Sequence, residues 1–391
     1  MSSLIASDQT SLRALYALPD DMLYLDSAAH GPPLKSVRAA GIAALRHSTT
    51  SWLGSAHWRD DVERVRRLAA RLFDDNADAV AMIPSAAYGL SVAARNVPLQ
   101  PNQSVLVLEG QFPSNLLPWR QRCADVGASL VFARREEGQG WTAAVLDALD
   151  AHPEIRVLAL PQAHWRDGSL LDLGRIADRA RARGARLVLD LSQSLGAMPV
   201  DLKAWQPDFV VAVGYKWLLG GYGLAWLWAA PHWREHGQPI EHGWMANDND
   251  ALWQPGSRGD VRHLPGARRF DAGGVCDAMR LAMAEAALGQ ILDWGVAHIA
   301  KQLQRRTTAL DDALEAHGLG GLRTLDHVPH ICGVKLPPQR AEAVARALSD
   351  AHIVTTVRNG CVRIAPHLHL GIGEMVRPIE VIAEWLLRRK G

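Results

Sequence analysis

The sequence predicts an α/β fold with a largely parallel sheet, followed by a smaller α+β region. Two observations carry this prediction. Between residues 79 and 228, short apolar runs alternate with amphipathic helical stretches, which is typical of a sheet covered by helices on both faces. From about Gly274 onward, one long helical stretch and then shorter mixed signals replace that alternation, which indicates a second unit. A chain of 391 residues is long enough for both.

Seven runs are predicted as strands of the large sheet because they are short, apolar and bounded by turn-forming or helical segments. They are AVAMI (79–83), SVLVL (104–108), SLVFA (129–133), RVLAL (156–160), RLVLD (186–190), FVVAV (209–213) and LAWLW (224–228). Only a glycine-rich loop separates the last two runs. Because that loop is too short for a helical crossover, we expect this pair of strands to be antiparallel.

Helical stretches are predicted between the strands, for example at 114–127 and 172–184, where arginines and a glycine mark the end of the second. A long helical stretch at 276–318 precedes strand and helix signals that continue towards the C-terminus. We therefore expect a large α/β domain over residues 31–270 and a smaller α+β domain over residues 271–391, joined near the segment ARRFDAGG.

The composition favours a small-molecule partner. The formal net charge is +1, so there is no electrostatic reason to expect nucleic acid or an anionic membrane surface. The four cysteines are far apart without metal-ligand spacing, so we expect no metal site and a reduced, cytoplasmic protein. The N-terminal stretch lacks signal-peptide features, and no run approaches the roughly 18 apolar residues of a membrane helix.

Candidate functional residues follow the predicted strands, because ligands in open α/β sheets bind at the carboxyl ends of the strands. Asp190 closes RLVLD, and Lys216 follows FVVAV by three residues. Small residues after AVAMI open a helix whose free N–H groups can bind an anion, and Phe112 follows SVLVL. Each feature alone has an ordinary explanation, as a cap, as core packing or as a lysine reaching solvent. Together, the amine, carboxylate, anion site and flat ring match pyridoxal 5′-phosphate (PLP).

The segment VLDLSQSLGAMPVDLKAWQPDFVVAVGYKWLLGGYGLAWLW resembles the core of class V aminotransferase-fold enzymes, which include cysteine desulfurases, isopenicillin-N-epimerase-like proteins and kynureninases. The D-x-x-Q spacing of Asp190 and Gln193 and the position of Lys216 are similar to that family's motif. The resemblance extends from YLDSAAHGPP to CVRIAPH. It implies PLP-dependent transferase fold type I, with a mostly parallel seven-stranded sheet, and a homodimer with active sites at the interface. It also implies that residues 1–30 join the small domain on the substrate side.

The resemblance implies a role for each cofactor-facing residue. Lys216 would form the Schiff base and then move the proton at the substrate Cα, while Asp190 would hold the pyridinium proton. Gln193 matches the position that hydrogen-bonds the cofactor's phenolic oxygen, and Phe112 in FPSN matches a ring stacked on the pyridine. The positions that match phosphate contacts are Ser85, Ala86, Ala87 and Tyr215 and, from the neighbouring subunit, Trp244, Gly273 and Gly274.

Three further residues are implied on the substrate side. Arg363 matches the arginine that binds the α-carboxylate of the amino-acid substrate, for which a planar guanidinium is well suited. His30 and Gly31 match a segment that folds over the substrate side of the pocket. The pattern alone is also compatible with a strand arginine and a loop hydrogen bond at these positions.

These motifs indicate the class of chemistry rather than the reaction, because transamination, racemisation, elimination and Cβ–Cγ cleavage use nearly the same core residues. A persulfide-forming desulfurase needs a mobile thiolate, whereas Cys332 lies in a strand-like segment and Cys361 almost adjoins Arg363, so that reaction is disfavoured. FPSN, YKWL and GGYG favour kynureninases, while HWRDGSLLDL and GARRFDAGG resemble class V proteins described as aminotransferases or epimerases.

We therefore predict an aminotransferase-like enzyme first. The alternatives are a kynureninase-type hydrolase or a C–S/β-lyase. A catalytically silent PLP-fold binding protein is the alternative from another class, and the presence of the lysine, the aspartate and the arginine argues against it.

Overall fold

The computed structural model describes residues 12–47, 58–247, 255–256 and 262–387. Residues 1–11 and 388–391, which belong to the predicted terminal parts, lie outside the described residues. Within the described ranges the strands are β1 (Leu23–Tyr24), β2 (Val80–Ile83), β3 (Ser104–Leu108), β4 (Ser129–Ala133), β5 (Ile155–Pro161), β6 (Arg186–Asp190), β7 (Phe209–Val213), β8 (Ala225–Ala229), β9 (Cys332–Lys335), β10 (Ile353–Val354), β11 (Thr356–Arg358) and β12 (Cys361–Ile364).

The helices cover the sheets and connect most of the strands. In chain order they are α1 (Lys35–His47), α2 (Trp58–Leu72), α3 (Ala86–Asn96), α4 (Leu117–Val126), α5 (Trp141–Ala151), α6 (Leu173–Ala182), α7 (Leu202–Trp205), α8 (Pro231–His236), α9 (Ala278–Trp294), α10 (Val296–Ala316), α11 (Pro338–Asp350) and α12 (Val376–Leu387). None of the helices in the described ranges is both long enough and apolar enough to cross a membrane.

The large sheet has seven strands in the order β2-β8-β7-β6-β5-β3-β4. Strand β8 runs antiparallel to β2 and to β7, and every other neighbouring pair is parallel. The predicted antiparallel pair is therefore confirmed. All residues of β2, β3, β7 and β8 are buried, because the sheet has packed side chains on both faces, as continuous apolar strands require.

This topology brings the ends of several strands to one edge of the sheet. β6 and β7 are parallel neighbours with Asp190 opposite Val211, so the end of β6 adjoins the loop that carries Lys216. β2, β3 and β5 point the same way, and the residues that follow them reach the same edge. The carboxyl edge of the sheet is thus where the predicted site residues can meet.

A second sheet, β11-β12-β9, is antiparallel, and β1 pairs in parallel with β10. Leu23 and Leu25 of the N-terminal segment pack in the same core as residues of α10, β9 and α12. The segment 276–318, predicted as one helical stretch, is divided into α9 and α10 at Gly295, whose φ of +77° favours glycine and interrupts helical geometry. The domain boundaries at residues 30/31 and 270/271 stay predictions.

Candidate active site

A cavity of about 270 Å³ opens at the carboxyl edge of the large sheet. Half of the predicted site residues line it, namely Ser85, Ala86, Phe112, Asp190, Gln193, Tyr215 and Lys216. The others lie outside its lining, namely Ala87, His30, Gly31, Trp244, Gly273, Gly274 and Arg363. The structure therefore brings together seven of the eleven residues predicted on the cofactor side of the site.

Lys216 is held in the tight loop that joins β7 to β8. Gly214 N–H donates to the carbonyl of Leu224 at 3.0 Å, and Gly220 N–H donates to the carbonyl of Gly214 at 2.9 Å. The lysine is only 8% exposed, and burial lowers the pKa of its amine to about 8. Among the described residues, no carboxylate lies within ion-pair distance of Nζ. The amine is therefore readily neutral, which is the form that attacks a carbonyl.

Asp190 ends β6 beside the lysine loop. It is 8% exposed, and its Oδ1 accepts a hydrogen bond from the N–H of Ser192 at 3.0 Å. Its negative charge is the strongest of the influences that raise the pKa of Lys216 against the effect of burial. A buried carboxylate that faces the cavity can hold a proton on a ring nitrogen.

Gln193 presents its carboxamide in one defined orientation. Its Nε2 donates to the carbonyl of Ala28 at 2.9 Å, and its Oε1 accepts from Nε1 of Trp217, also at 2.9 Å. Because an indole nitrogen can only donate, the amide oxygen must face Trp217. On the main chain, the Gln193 carbonyl accepts from Nε2 of His330, a buried ring kept neutral because burial lowers its pKa to about 3.

The anion-binding end of the cavity is formed by the start of α3. Ser85 is the residue that caps this helix, and its Oγ accepts from the N–H of Tyr88 at 3.1 Å. The N–H groups of Ala86 and Ala87 have no partner within the helix, as in the first turn of any α-helix. Such groups, with the positive end of the helix dipole, favour a phosphate or carboxylate.

Aromatic rings form two walls of the cavity. The Phe112 ring centre lies 5.4 Å from Nζ of Lys216, and Trp165 packs edge-to-face against it at 5.4 Å. On the other side, Tyr215 stacks on Tyr222 at 3.8 Å. Burial raises the pKa of Tyr215 to about 12, so its phenol stays protonated and can donate.

Three further residues, Trp165, Tyr222 and Asn115, line the cavity although they are not among the site residues predicted from the sequence. Trp165 comes four residues after β5, so the rule that located Asp190 and Lys216 would also have found it. Tyr222 stands in the glycine cluster after the lysine, and Asn115 follows Phe112 by three residues. Neither carries a signal in the sequence beyond this nearness to predicted site residues.

Arg363 lies next to the cavity and is paired with Asp26. Its Nη2 donates to Oδ1 of Asp26 at 2.9 Å, and its Nη1 donates to the main-chain carbonyl of Trp165 at 2.7 Å. The arginine is 2% exposed, and burial lowers its pKa. The side chain is thus held by the protein itself, and one of its contacts is with the cavity-lining residue Trp165. Its substrate-binding role stays a prediction.

The N-terminal pair predicted on the substrate side packs against the lysine loop. Gly31 N–H donates to the carbonyl of Tyr215 at 2.9 Å, and a Cβ at this position would lie 2.1 Å from the carbonyl oxygen of Lys216. The His30 ring lies 5.4 Å from that of Tyr222. Gly31 is therefore required for close approach to the lysine backbone, while the substrate role of both residues stays a prediction.

The positions matched to a neighbouring subunit lie apart from the cavity lining. Trp244 is 47% exposed and packs edge-to-face on Trp58 at 5.4 Å. Gly273 N–H donates to Oε1 of Glu241 at 2.9 Å, and the same carboxylate accepts from the Tyr88 hydroxyl at 3.2 Å. Glu241 therefore ties the exposed Gly273–Gly274 turn to α3, the helix that starts at the anion-binding end.

Comparison with known proteins identifies relatives over nearly the whole chain. The family model for aminotransferase class V matches residues 23–378. An uncharacterised aminotransferase of Bacillus subtilis, YcbU, is 26% identical over 334 residues, covering 84% of this chain and 85% of that protein. The kynureninase of Pseudomonas fluorescens is 27% identical over 376 residues, covering 89% of this chain and 84% of that protein.

A solved structure confirms the predicted fold class. It is a mutant of the cystine C–S lyase C-DES with glycine covalently linked to its PLP cofactor. It superimposes with a TM-score of 0.81 at 18% identity, covering 97% of this chain and all of that one. At this level of identity the match shows the shared architecture, PLP-dependent transferase fold type I.

Proposed function

The chain belongs to the aminotransferase class V family, whose members depend on PLP, and from that premise we propose that it is an aminotransferase acting on an amino acid. In this proposal Lys216 carries the cofactor as a Schiff base. The observation that carries it is the buried Lys216 amine, with a pKa near 8, in one cavity with Asp190, Gln193 and the start of α3.

The donor set of the cavity fits PLP at each of its functional groups. The start of α3 supplies free N–H groups for the phosphate, and Asp190 supplies a carboxylate for the pyridine nitrogen. Gln193 retains a second N–H for the phenolic oxygen, and Phe112 offers a ring face. The amide nitrogen of buried Asn115 has no partner among the described residues, which is the state expected of a donor reserved for a ligand.

PLP, when bound, withdraws electrons from the substrate Cα so that a proton there can leave. The residues of this chain supply the rest of the proposed function. Asp190 would keep the ring nitrogen protonated. The amine of Lys216 would take the proton from the substrate Cα and deliver it to the cofactor carbon bonded to the amino nitrogen, which is the transfer that transamination requires. The neutral amine favoured by burial is suited to accept that proton. Arg363, beside the cavity, is the candidate for binding the substrate carboxylate.

A kynureninase-type hydrolase is the second candidate, and a C–S/β-lyase shares the same core residues. The kynureninase reading is favoured by FPSN at 112–115 and by the identity of 27% to a kynureninase over most of both chains. Kynureninases carry FPSD in this segment. Here the last residue is Asn115, which lines the cavity, so this position has an amide in place of a carboxylate.

The cysteines do not support a persulfide-forming desulfurase. Cys332 is fully buried in β9, and burial with the nearby Asp311 raises the pKa of its thiol well above the usual value. Cys361 is also buried, and burial raises its pKa to about 12. A thiol that stays protonated and cannot move is a poor sulfur acceptor.

A homodimer is part of the proposal. The exposed Trp244 and the exposed Gly273–Gly274 turn would then reach the phosphate end of the partner's cavity. Sedimentation equilibrium tests the oligomeric state, and a monomer at micromolar concentration would remove this part of the proposal.

The test of the proposed function has two steps. Borohydride reduction of the PLP-loaded protein, followed by peptide mass analysis, should place a pyridoxyl group on Lys216. The loaded enzyme is then offered a panel of amino acids with product analysis. A 2-oxo acid with conversion of the cofactor to its amine form supports an aminotransferase. Release of anthranilate and alanine from kynurenine indicates a kynureninase, and pyruvate with ammonia from cysteine or cystine indicates a lyase. PLP retention without any turnover would indicate a binding protein.

A further inference from the structure

Two carboxamides in the cavity wall are each bound by a buried tryptophan. Trp217, which is 1% exposed, donates its indole N–H to Oε1 of Gln193 at 2.9 Å. Trp119 on α4, fully buried, donates to Oδ1 of Asn115 at 3.3 Å. Both carboxamides line the cavity, and both are 5% exposed or less. The same arrangement thus occurs on two different elements of the large-domain fold.

The chemistry of these contacts sets which atoms face a ligand. An indole nitrogen donates and cannot accept, so a carboxamide beside it must turn its oxygen to the indole. Among the residues that the structure describes, the amide nitrogen of Asn115 is then left without a partner. The amide nitrogen of Gln193 donates one N–H to the carbonyl of Ala28, and its second N–H is left for a ligand. A buried donor left unpaired in the protein costs free energy unless a ligand accepts from it.

We propose that Trp119 and Trp217 are positioning residues, each of which fixes a carboxamide so that Asn115 and Gln193 enter the cofactor cavity as hydrogen-bond donors. This inference rests on the proposed function. Preorganised neutral donors suit a ligand rich in acceptor oxygens, because no side-chain freedom is lost on binding. Trp217 orients the Gln193 amide towards the phenolic oxygen of PLP. Trp119 orients the Asn115 amide towards a second acceptor on the same ligand.

The test compares Trp119→Phe and Trp217→Phe with Trp226→Phe. Trp226, on β8, is 1% exposed, and its Nε1 has no hydrogen-bond partner in the described part of the chain. Its replacement therefore reproduces the loss of core packing without the loss of an amide contact. The apoproteins are titrated with PLP by visible absorbance, and the pH titration of that absorbance is recorded for each holoenzyme. Thermal unfolding of each apoprotein reports the packing loss separately.

We expect Trp119→Phe to weaken PLP binding about threefold and Asn115→Leu to weaken it about tenfold, as for one lost hydrogen bond. Trp217→Phe should raise the pKa of the visible band by roughly half a unit, and Gln193→Leu by roughly one unit. The donor to the phenolic oxygen stabilises its negative charge, and without it that oxygen holds the neighbouring imine proton more strongly. Trp226→Phe should change neither quantity.

The inference is overturned if the Trp119 and Trp217 variants match Trp226→Phe in both PLP affinity and band pKa, or if Asn115→Leu binds PLP like the unaltered protein. A different result marks failure of the proposed function. If the unaltered protein itself forms no visible band with PLP, the cofactor assignment is wrong, whatever the two tryptophans do.

Discussion

Two buried cations, Lys216 in the cavity and Arg363 beside it, have different surroundings. Lys216 lies in the loop of the large sheet without an ion-pair partner among the described residues, and burial lowers its pKa to about 8. Arg363 lies in β12 of the small sheet and is paired with buried Asp26. The first cation can become a neutral nucleophile, whereas the second stays charged and held. Burial without an ion-pair partner thus favours the reactive neutral form of the lysine, whereas burial beside a carboxylate keeps the arginine charged for binding or structure.

The N-terminal segment contacts both regions. Asp26 pairs with Arg363, the Ala28 carbonyl accepts from Gln193, and Gly31 N–H donates to the carbonyl of Tyr215 beside Lys216. Within six residues, one segment therefore reaches the arginine, the cavity carboxamide and the lysine loop. A movement of this segment would change the two cations together, and variants along it can separate their roles.

Removing the lysine amine should have the largest effect. We expect Lys216→Ala to lower turnover by about 10²–10⁴-fold or more, because it removes both the covalent attachment and the acid–base group. Turnover is measured with the substrate found in the amino-acid panel. Lys203→Ala, at an 80% exposed lysine on α7, is the control and should keep full activity. Undiminished turnover of Lys216→Ala would contradict the proton-transfer role, provided circular dichroism shows an intact fold.

Breaking the arginine's ion pair should destabilise the protein. We expect Asp26→Ala to lower the free energy of unfolding by about 3–5 kcal/mol, because Arg363 would remain charged and buried without its carboxylate. Urea unfolding of the apoprotein measures this change. The double variant Asp26→Ala/Arg363→Ala should recover part of the lost free energy of unfolding, since no unpaired charge is then buried. A loss below about 1 kcal/mol for the single variant would show that water reaches the pair and that the arginine is not held as described.

Adding one methyl group at the contact between the N-terminal segment and the lysine loop should slow cofactor loading. In Gly31→Ala the new Cβ meets the Lys216 carbonyl oxygen at 2.1 Å, so the lysine backbone must shift. A displacement of that order costs roughly 100-fold in a reaction that needs precise placement. The rate at which the visible band forms after PLP is added to apoprotein measures the effect. Gly289→Ala in α9, where a Cβ meets nothing within 4 Å, is the control and should load normally.

The strands and the strand-end residues of this molecule could be predicted from the sequence alone. The strand runs were readable because each is a short apolar segment between clear helical or turn signals, and four of the seven match the observed bounds residue for residue. Asp190 and Lys216 followed from the rule that strand ends form sites. These are local signals, so a single stretch of sequence contains them.

The rest depends on contacts between distant parts of the chain. The partners Asp26 and Arg363 are 337 residues apart, and no pattern near either residue indicates the other. The orientation of Gln193 depends on Trp217 and on the Ala28 carbonyl, which meet only after β6, β7 and the N-terminal segment have packed. The break at Gly295 shows the opposite case, because the glycine was visible in an otherwise helical stretch and only its positive φ made it a boundary.

The pH dependence of cofactor loading should provide the smallest effect and the finest test of the contrast between the two cations. Because PLP reacts with the neutral amine of Lys216, whose pKa is lowered to about 8, the loading rate should rise about tenfold per pH unit below pH 8 and level off above it. Asp190 acts to raise this pKa, so Asp190→Asn should move the inflection to lower pH. An inflection of the loading rate near pH 10, the region of an exposed lysine, would mean that water reaches the Lys216 amine. Lys216 would then stay charged like Arg363, and the proposed difference between the two cations would be wrong.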